Sequence, residues 1–558
     1  MESNIINTNR KLYKPQEYSN FRELIVESSK KYGGKSAFQI KIKDNVYHFI
    51  SYDELKDRYY NLCNAFLDKN LLGERIAVIG KNSFEWVISY LAAATVGVAV
   101  PIDKELGSED IESFVAAAKC KAVCCDESIL KKQNHTNNKD VKFWTFSEIG
   151  KMSGVYCEDS SLVDSIHIRD DAMQVLIFTS GTTGSSKGVC LSQKNICTNI
   201  YSTSKIVEIN SDDKTLSLLP LHHTYECTLN CLLLLSKGAC ITYCGGLMKI
   251  SQDLVEYQPS ILVVVPALLI LLEKQIRKSI SRECQKRYKK LYEEYSLGVA
   301  LKKTPFFIRR AICKRVRKSL GNRLRRIIVG AADLKPSLVE DFLALGIRTL
   351  QGYGLTECAP LVAGNSDFDL NPNSTGKVIP GVEIKIIDKN EQGIGEITVK
   401  GDNVMLGYYD DGESTNKVLV DGYFHTGDLG CFDKTGFLYI KGRIKNVIVT
   451  NNGKNVYPEE LENRLSQISI ISEALVLAFD EGGKIHVKAK IFPNLDVLKD
   501  KLGGLPSLED INVAINSAIK EVNSRTPAYK HIRIVEVLSE KLERTTTQKI
   551  KRFGSNLT

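Results

Sequence analysis

The architecture this sequence predicts is α/β. A large N-terminal domain of doubly wound sheets and a β-rich subdomain precede a small α+β domain at the C-terminal end. Three observations predict it. Between residues 75 and 126 short apolar runs alternate with helical stretches, as in parallel sheets joined by crossover helices. A chain of 558 residues is too long for one core, so two or more domains are expected. Around residue 442 the pattern changes to a smaller mixed unit, which gives expected domains of 1–441 and 442–558.

Taken in order, residues 21–32 read as a first helix after an N-terminal arm, and an exposed strand pair follows. Ser51 can cap the next helix, with Glu54 three residues on to complete a capping box. Residues 75–80 (RIAVIG) form a buried strand and 82–96 a helix whose Phe84 and Trp86 belong in the core. A strand at 98–102, a helix at 108–118 and a strand at 121–126 continue the alternation. Residues 127–170 are polar and uninformative. The run 175–178 is a further buried strand, and 192–195 (SQKN) looks like a helix start. Residues 216–226 (LSLLPLHHTYE) read as a strand that ends at Pro220 and delivers His222 and His223 into a turn. The apolar run 261–272 is broken by Pro266 and falls short of the roughly 18–20 residues of a membrane span. It reads as a buried strand entering a helix. Strands are also expected at 327–329 and 348–350, and a β-rich segment at 395–409. Beyond residue 443 come a strand at 447–449, a turn at 451–454 and a helix start at 457–462 with early proline and acids. A hairpin turns around Glu481, Gly482 and Gly483. A helix over 508–522 is capped by Ser507, and 532–538 is the last strand.

Composition excludes several classes. A hydrophobic content of 43% with 25% charged residues is that of a soluble globular protein. The 15 cysteines have neither zinc spacing nor a compact disulfide framework, and the N-terminal MESNIINTNRKLYK has no apolar core. Reduced intracellular thiols are therefore expected. The net charge is +9, yet residues 273–326 alone carry about 19 Lys and Arg against about 4 acids, so the rest of the chain is slightly acidic. In that segment Lys286, Arg287, Lys289 and Lys290 alternate with Tyr288, Leu291, Tyr292 and Tyr295. Phe306, Phe307 and Ile308 then precede Arg309 and Arg310. The pattern is cationic and amphipathic. It fits a solvated helical insertion or a surface for anionic lipid. Nucleic acid is the least favoured partner, since no recognition motif accompanies the charge.

The chemistry concentrates in a few motifs. Residues 178–188 read FTSGTTGSSKG. Gly181 and Gly184 allow a tight turn, and Thr179, Ser180, Thr182, Thr183 and Lys187 surround it with hydroxyls and a cation. Such a set can cradle phosphate. The spacing is not the Walker A spacing, which disfavours a P-loop kinase or motor. Gly330 and Ala331 open a small-residue turn after a strand. In QGYGLTE, Gln351, Gly352, Tyr353 and Gly354 present an aromatic held by glycines, which can stack on a purine. Thr356 and Glu357 follow, and Glu357 can hold a hard cation beside phosphates. Asp428, in DGYFHTGDLG, reads from the residues alone as a carboxylate at a tight turn, which can be only a turn former. The His pair could bind metal, but no third ligand stands in register.

The phosphate loop, LPLHHTYE, QGYGLTE, DGYFHTGDLG, KGRIK, NGKNVYPEELE and RTTTQKIKR together resemble the AMP-forming acyl-CoA synthetases of the adenylate-forming superfamily, most closely the long-chain fatty acid branch. The resemblance runs from about residue 20 to the end, with the motifs in family order. Three departures are visible: Ser186 stands where the family usually has proline, Ala331 and Ala332 where two glycines are more usual, and Gln548 where glycine often precedes the lysine. The resemblance implies ATP, Mg2+ and coenzyme A as cofactor and cosubstrates, with a fatty acid activated to acyl-AMP and passed to the CoA thiol. It implies Lys549, Glu357, Thr356 and His223 as catalytic residues, with Thr179 and Glu357 toward the metal. It implies Asp428 as the acceptor for the ribose hydroxyls, with Arg443 assisting. Lys445 is the hinge of a mobile C-terminal domain, and Gly453 belongs to the loop that reaches the pantetheine channel. An acyl-carrier-protein synthetase, an aryl or medium-chain CoA ligase, and a non-catalytic membrane-binding homologue are the alternatives. No carrier or oxidation module follows residue 558, so the expectation is an enzyme that acts alone. The expected location is the cytoplasm, with peripheral contact at the cytoplasmic face of the membrane.

Overall fold

The computed structural model describes residues 10–132, 140–155, 160–179, 186–283, 290–292, 294–330, 332, 334–451, 454–544, 550–552 and 556. The chain divides into two compact units. Among the described residues the smaller holds those of Ile384–Thr398 and His425–Thr558, and the larger those of Ile5–Glu383 and Val399–Phe424.

Two mixed sheets build the larger unit among the described residues. One has seven strands in the order Gly407–Tyr408, Lys187–Leu191, Val175–Thr179, Val98–Ile102, Arg75–Ile79, Ala122–Cys125 and Lys142–Thr145. From Val175–Thr179 to Lys142–Thr145 the neighbours run parallel. The other has nine strands and a parallel centre, in which Ile261–Val264, Arg326–Val329 and Arg348–Gly354 lie side by side. Valine and isoleucine fill these strands and nearly all are buried, as expected for parallel strands covered on both faces.

Local chemistry explains most boundaries. Asn20 caps the helix Phe21–Tyr32, and Ser83 caps Phe84–Val96 by accepting from the Trp86 N–H. Phe84 and Trp86 are both 1% exposed, as the core reading required. Ser51 caps Tyr52–Asp68, but the reciprocal half of the expected capping box does not pair. The Glu54 carboxylate instead accepts from Arg58 at 2.8 Å, one helical turn on. Ser192 caps Gln193–Ser204 in a full capping box with Asn195.

Three further sequence expectations are corrected. The strand before the His pair is Lys214–Ser217, so it ends before Pro220; Leu218 and Leu219 already turn. Residues 187–191 form a strand, antiparallel to Val175–Thr179, where only a loop running into a helix was expected. Asp428 lies inside the strand Tyr423–Phe432 and not at a turn. In the basic segment the helices Pro266–Glu283, Leu297–Lys303 and Phe306–Ser319 are described, while Lys286, Arg287, Tyr288 and Lys289 lie outside the described residues.

In the smaller unit, Ile471–Glu481 and Lys484–Pro493 form a long hairpin, and Ile532–Val537 adds a parallel third strand. The helices Pro458–Ser466 and Leu508–Ser524 supply Leu461, Leu465, Ile511, Ile515 and Ile519 to its core. No described helix is long and apolar enough to cross a membrane. The described cysteines are free thiols.

Candidate active site

The site in the larger unit begins with the pairing of Val175–Thr179 and Lys187–Leu191. Thr179 and Lys187 face each other in register, so the two ends of the phosphate loop are held together by the sheet. The Thr179 hydroxyl donates to the Lys187 carbonyl at 3.3 Å. Ser180, Gly181, Thr182, Thr183 and Gly184 lie outside the described residues.

QGYG forms the end of the strand Arg348–Gly354, with Val329 and Gln351 in register across the parallel pair. Gly330 follows Val329, so Gly330 and Gly352 stand together at the carboxyl ends of adjacent strands. In open α/β sheets that is where ligands bind. Ala331 lies outside the described residues. Gly354 must be glycine for packing, since a Cβ there would sit 2.1 Å from the Pro360 carbonyl oxygen. Tyr353, between the two glycines, is half-buried. Thr356 and Glu357 then enter a short 3-10 turn, Thr356–Cys358.

One side chain ties these pieces together. Lys187 Nζ lies 4.6 Å from the centroid of the Tyr408 ring, and the Tyr408 hydroxyl donates to Glu357 Oε1 at 3.1 Å. The sequence does not single out Tyr408, because its position depends on a strand pairing between distant segments. The residue types give a partial signal only, an aromatic pair after glycine in LGYY.

The His segment is positioned by a buried polar network. Asn82 Nδ2 donates to Ser217 Oγ at 2.9 Å and to the Leu219 carbonyl at 2.6 Å, and Asn82 Oδ1 accepts from the Leu221 N–H at 3.1 Å. Glu226 Oε1 accepts from Ser217 Oγ at 2.5 Å and from Asn230 Nδ2 at 2.7 Å. Burial raises the Glu226 carboxyl to about 7 against these hydrogen bonds, which lower it. His223 is the N-cap residue of Thr224–Glu226 and packs on His222 with ring centroids 4.0 Å apart. His222 Nε2 lies 3.6 Å from Asp103 Oδ2, and burial lowers His222 to about 4, with Lys104 acting in the same direction. His222 is therefore neutral near pH 7 and is not a charged partner for a substrate. Tyr225 packs its ring against Gly330, 3.0 Å from where a Cβ would stand, which joins the His segment to the small-residue turn.

In the smaller unit Asp428 and Arg443 are in register on paired strands, and Arg443 Nε contacts Asp428 Oδ1 at 2.7 Å. Asp428 is 5% exposed. Lys445 sits in the 3-10 turn Ile444–Asn446, directly after Arg443. Asn446 Nδ2 donates to Glu459 Oε1 at 2.6 Å. Gly453 and Lys549 lie outside the described residues. On either side of Lys549, Arg544 and Ile550 bridge as antiparallel partners, and Arg544 donates to Glu473 Oε1 at 2.9 Å. Arg552 pairs with Glu462 and donates to the Val476 carbonyl at 3.1 Å.

Among the described residues no group of three or more His, Cys, Asp or Glu could hold a metal by itself. One carboxylate, Glu357, joined through Tyr408 to a lysine suits a cation that takes the rest of its ligands from phosphate and water, which is how Mg2+ is usually bound. The set fits Mg2+ accompanying a polyphosphate and does not fit a structural zinc.

Comparison with known proteins agrees with this chemistry. The sequence matches the AMP-binding enzyme family over residues 25–409. It is 28% identical to long-chain fatty acid–CoA ligase 5 of Mus musculus, over 85% of this chain and 76% of that protein. It is 26% identical to the long-chain fatty acid–CoA ligase FadD15 of Mycobacterium bovis, over 86% of each. The fold is shared with O-succinylbenzoate coenzyme A synthetase from Bacillus subtilis in complex with ATP and magnesium ion. That likeness has a TM-score of 0.72 at 22% identity, over 96% of this chain and 99% of that one. A match across most of the chain, with the phosphate-loop strands and the Glu357 turn inside it, establishes that the chain belongs to the AMP-binding enzyme family.

Proposed function

We propose that the protein is an ATP-dependent fatty acid–CoA ligase acting on long chains, releasing AMP and pyrophosphate. The observation that carries the reading is the joining of Lys187 and Glu357 through Tyr408. Family membership and relatives named as long-chain ligases support it.

Two anions must meet in the first step. The fatty carboxylate attacks the α-phosphorus of ATP; the bond to the bridging oxygen breaks, and acyl-AMP and pyrophosphate form. Lys187 and the loop hydroxyls bind the phosphates and lower the repulsion. Mg2+ held at Glu357, with Thr179 beside it, would neutralise phosphate charge. Lys549 spans the carboxylate and the α-phosphate in this step. Gln351, Gly352, Tyr353, Gly354, Gly330 and Ala331 bind the adenine side, Asp428 and Arg443 the ribose, and Thr356 the phosphate edge. In the second step the CoA thiol attacks the acyl carbon and AMP leaves. Between the steps the C-terminal domain, residues 442–558, turns about Lys445, withdraws Lys549 and brings the Gly453 loop to the pantetheine channel. His223 borders the acyl chain.

A peripheral contact with anionic membrane accompanies this reading. It is supported by the helix Phe306–Ser319, where Phe306 and Phe307 are 56% and 83% exposed among cations.

The test is a panel of fatty acids, short to long, supplied with ATP and CoA, with AMP and thioester measured together. Equimolar AMP and acyl-CoA, with rates rising toward long chains, is the expected result. ADP as the nucleotide product would refute the reaction. A preference for short or aryl acids would refute the substrate class, and an absolute need for a carrier protein would refute CoA as acceptor.

A further inference from the structure

We propose that Tyr408 is a positioning residue of the nucleotide site: its ring seats the Lys187 ammonium and its hydroxyl fixes the Glu357 carboxylate, so that a cation and a metal-binding carboxylate are held ready for a Mg2+–triphosphate. The proposal rests on the adenylation reading and adds to it a residue that touches neither chemistry nor purine.

The Tyr408 backbone is clamped from several directions. Gly407–Tyr408 pairs antiparallel with Lys187–Leu191, Tyr408 opposite Val189 and Gly407 opposite Cys190. The Leu406 N–H donates to the Cys190 carbonyl at 2.9 Å and the Tyr409 N–H to the Gly188 carbonyl at 2.7 Å. On the other side, the Met405 N–H donates to the Glu357 carbonyl at 2.8 Å. The Tyr408 N–H itself donates to Thr415 Oγ1 at 2.8 Å. Gly407 has φ +148°, and a Cβ there would lie 2.8 Å from Thr415 Cγ2, so this turn of chain admits only glycine. One segment thus links the strand after the phosphate loop to the Glu357 turn through its main chain, before any side chain is counted.

The side chain repeats that link with opposite chemistry at its two ends. The ring face receives an ammonium at 4.6 Å, and the hydroxyl, 3.1 Å from Glu357 Oε1, donates to a carboxylate. A core tyrosine needs one hydrogen-bond partner and apolar neighbours. Here both functional ends of the ring system go to residues of the nucleotide site. The two contacts differ in strength. A cation–π contact is weaker than a charge-assisted hydrogen bond, and an ammonium seated over the ring keeps N–H donors free for an arriving triphosphate, so the ring orients Lys187 while the phosphate binds it. The bond to Glu357 has no competitor on the phosphate and persists. Loss of the ring should therefore disturb phosphate binding itself, while loss of the hydroxyl alone should disturb the metal.

The test is calorimetric titration with α,β-methylene-ATP, in Mg2+ and in EDTA, of the full chain, Tyr408→Phe and Tyr408→Leu. Tyr408→Phe keeps the ring. It should bind the analogue like the wild type in EDTA and lose about tenfold of the affinity that Mg2+ adds. Tyr408→Leu should show the same loss and also bind about two- to fivefold more weakly in EDTA. If Tyr408→Phe matches the wild type in both conditions, the proposal fails. It also fails if Tyr408→Phe weakens both conditions equally, because a merely structural residue would do that. A wild type that does not bind the analogue at all overturns the adenylation reading, and this proposal with it. That result is distinct from a binding-competent wild type with indifferent variants.

Discussion

Glu226 and His222 sit a few residues apart and are shifted in opposite directions by the same cause. Burial raises the Glu226 carboxyl to about 7 and lowers the His222 imidazole to about 4. A carboxyl whose folded value exceeds its unfolded value makes the native state bind the extra proton. Its contribution to stability is complete below about pH 4.5 and is lost as pH rises through about 7. The buried His222 works the other way: its contribution is complete above about pH 6.5 and is lost as pH falls toward 4. Glu226→Gln keeps an acceptor for Ser217 and Asn230 and removes the titration. The variant should be close to wild type at pH 5 and more stable by about 2–3 kcal/mol at pH 8. Melting temperatures of both proteins at the two pH values check this; a difference that does not grow with pH would contradict it. The residue types of this network were legible, and its partners were not. The sequence offered His222 and His223 as a pair with no third ligand. The structure gives His222 an Asp103 neighbour from the end of another strand, a juxtaposition no local spacing encodes. Tyr408 escaped for the same reason, whereas Glu357 could be named because its neighbours in QGYGLTE are local in sequence.

At the scale of elements, strong periodicity and caps were readable. Phe21–Tyr32, Val98–Ile102 and the helix capped by Ser507 appear where the residues put them. The strand Lys187–Leu191 did not, because its glycine, lysine and cysteine lack the β-branched run that marks a strand; pairing with Val175–Thr179 supplies what propensity withholds. Helix Leu495–Leu502 was also missed; it is short and buries only Leu498. The cationic pattern is legible in the sequence, and the structure specifies its exposed face. Arg310, Lys314, Arg315 and Lys318 point outward, while Val316 is buried. Each cation near an anionic surface contributes about 1 kcal/mol, screened within a Debye length of about 8 Å at physiological salt. Co-sedimentation with vesicles containing phosphatidylserine should therefore fall with salt and be weak on phosphatidylcholine alone. Replacing Phe306 and Phe307 together by serine should remove the part that salt does not. Equal sedimentation of wild type on both lipids in high salt would refute an electrostatic contact.

For the whole molecule, the sequence reads as changing around residue 442 from long alternating units to a compact hairpin and helices. The structure groups His425–Thr558 with Ile384–Thr398, a partition that depends on strand pairing and so could not be read along the chain. The central claim is that one enzyme runs two half-reactions and needs Lys549 in the first only. In the smaller unit Arg544 pairs with Glu473 and Arg552 with Glu462, before and after that lysine in sequence. The direct measurement is single-turnover analysis of Lys549→Ala in each half-reaction separately. The account predicts that acyl-AMP formation from fatty acid and ATP falls by about 10²–10³, the cost of one lost charge-assisted contact in a phosphoryl transition state. Thioester formation from chemically made acyl-AMP and CoA should stay near the wild-type rate. Equal loss in both half-reactions, or loss in neither, would contradict it.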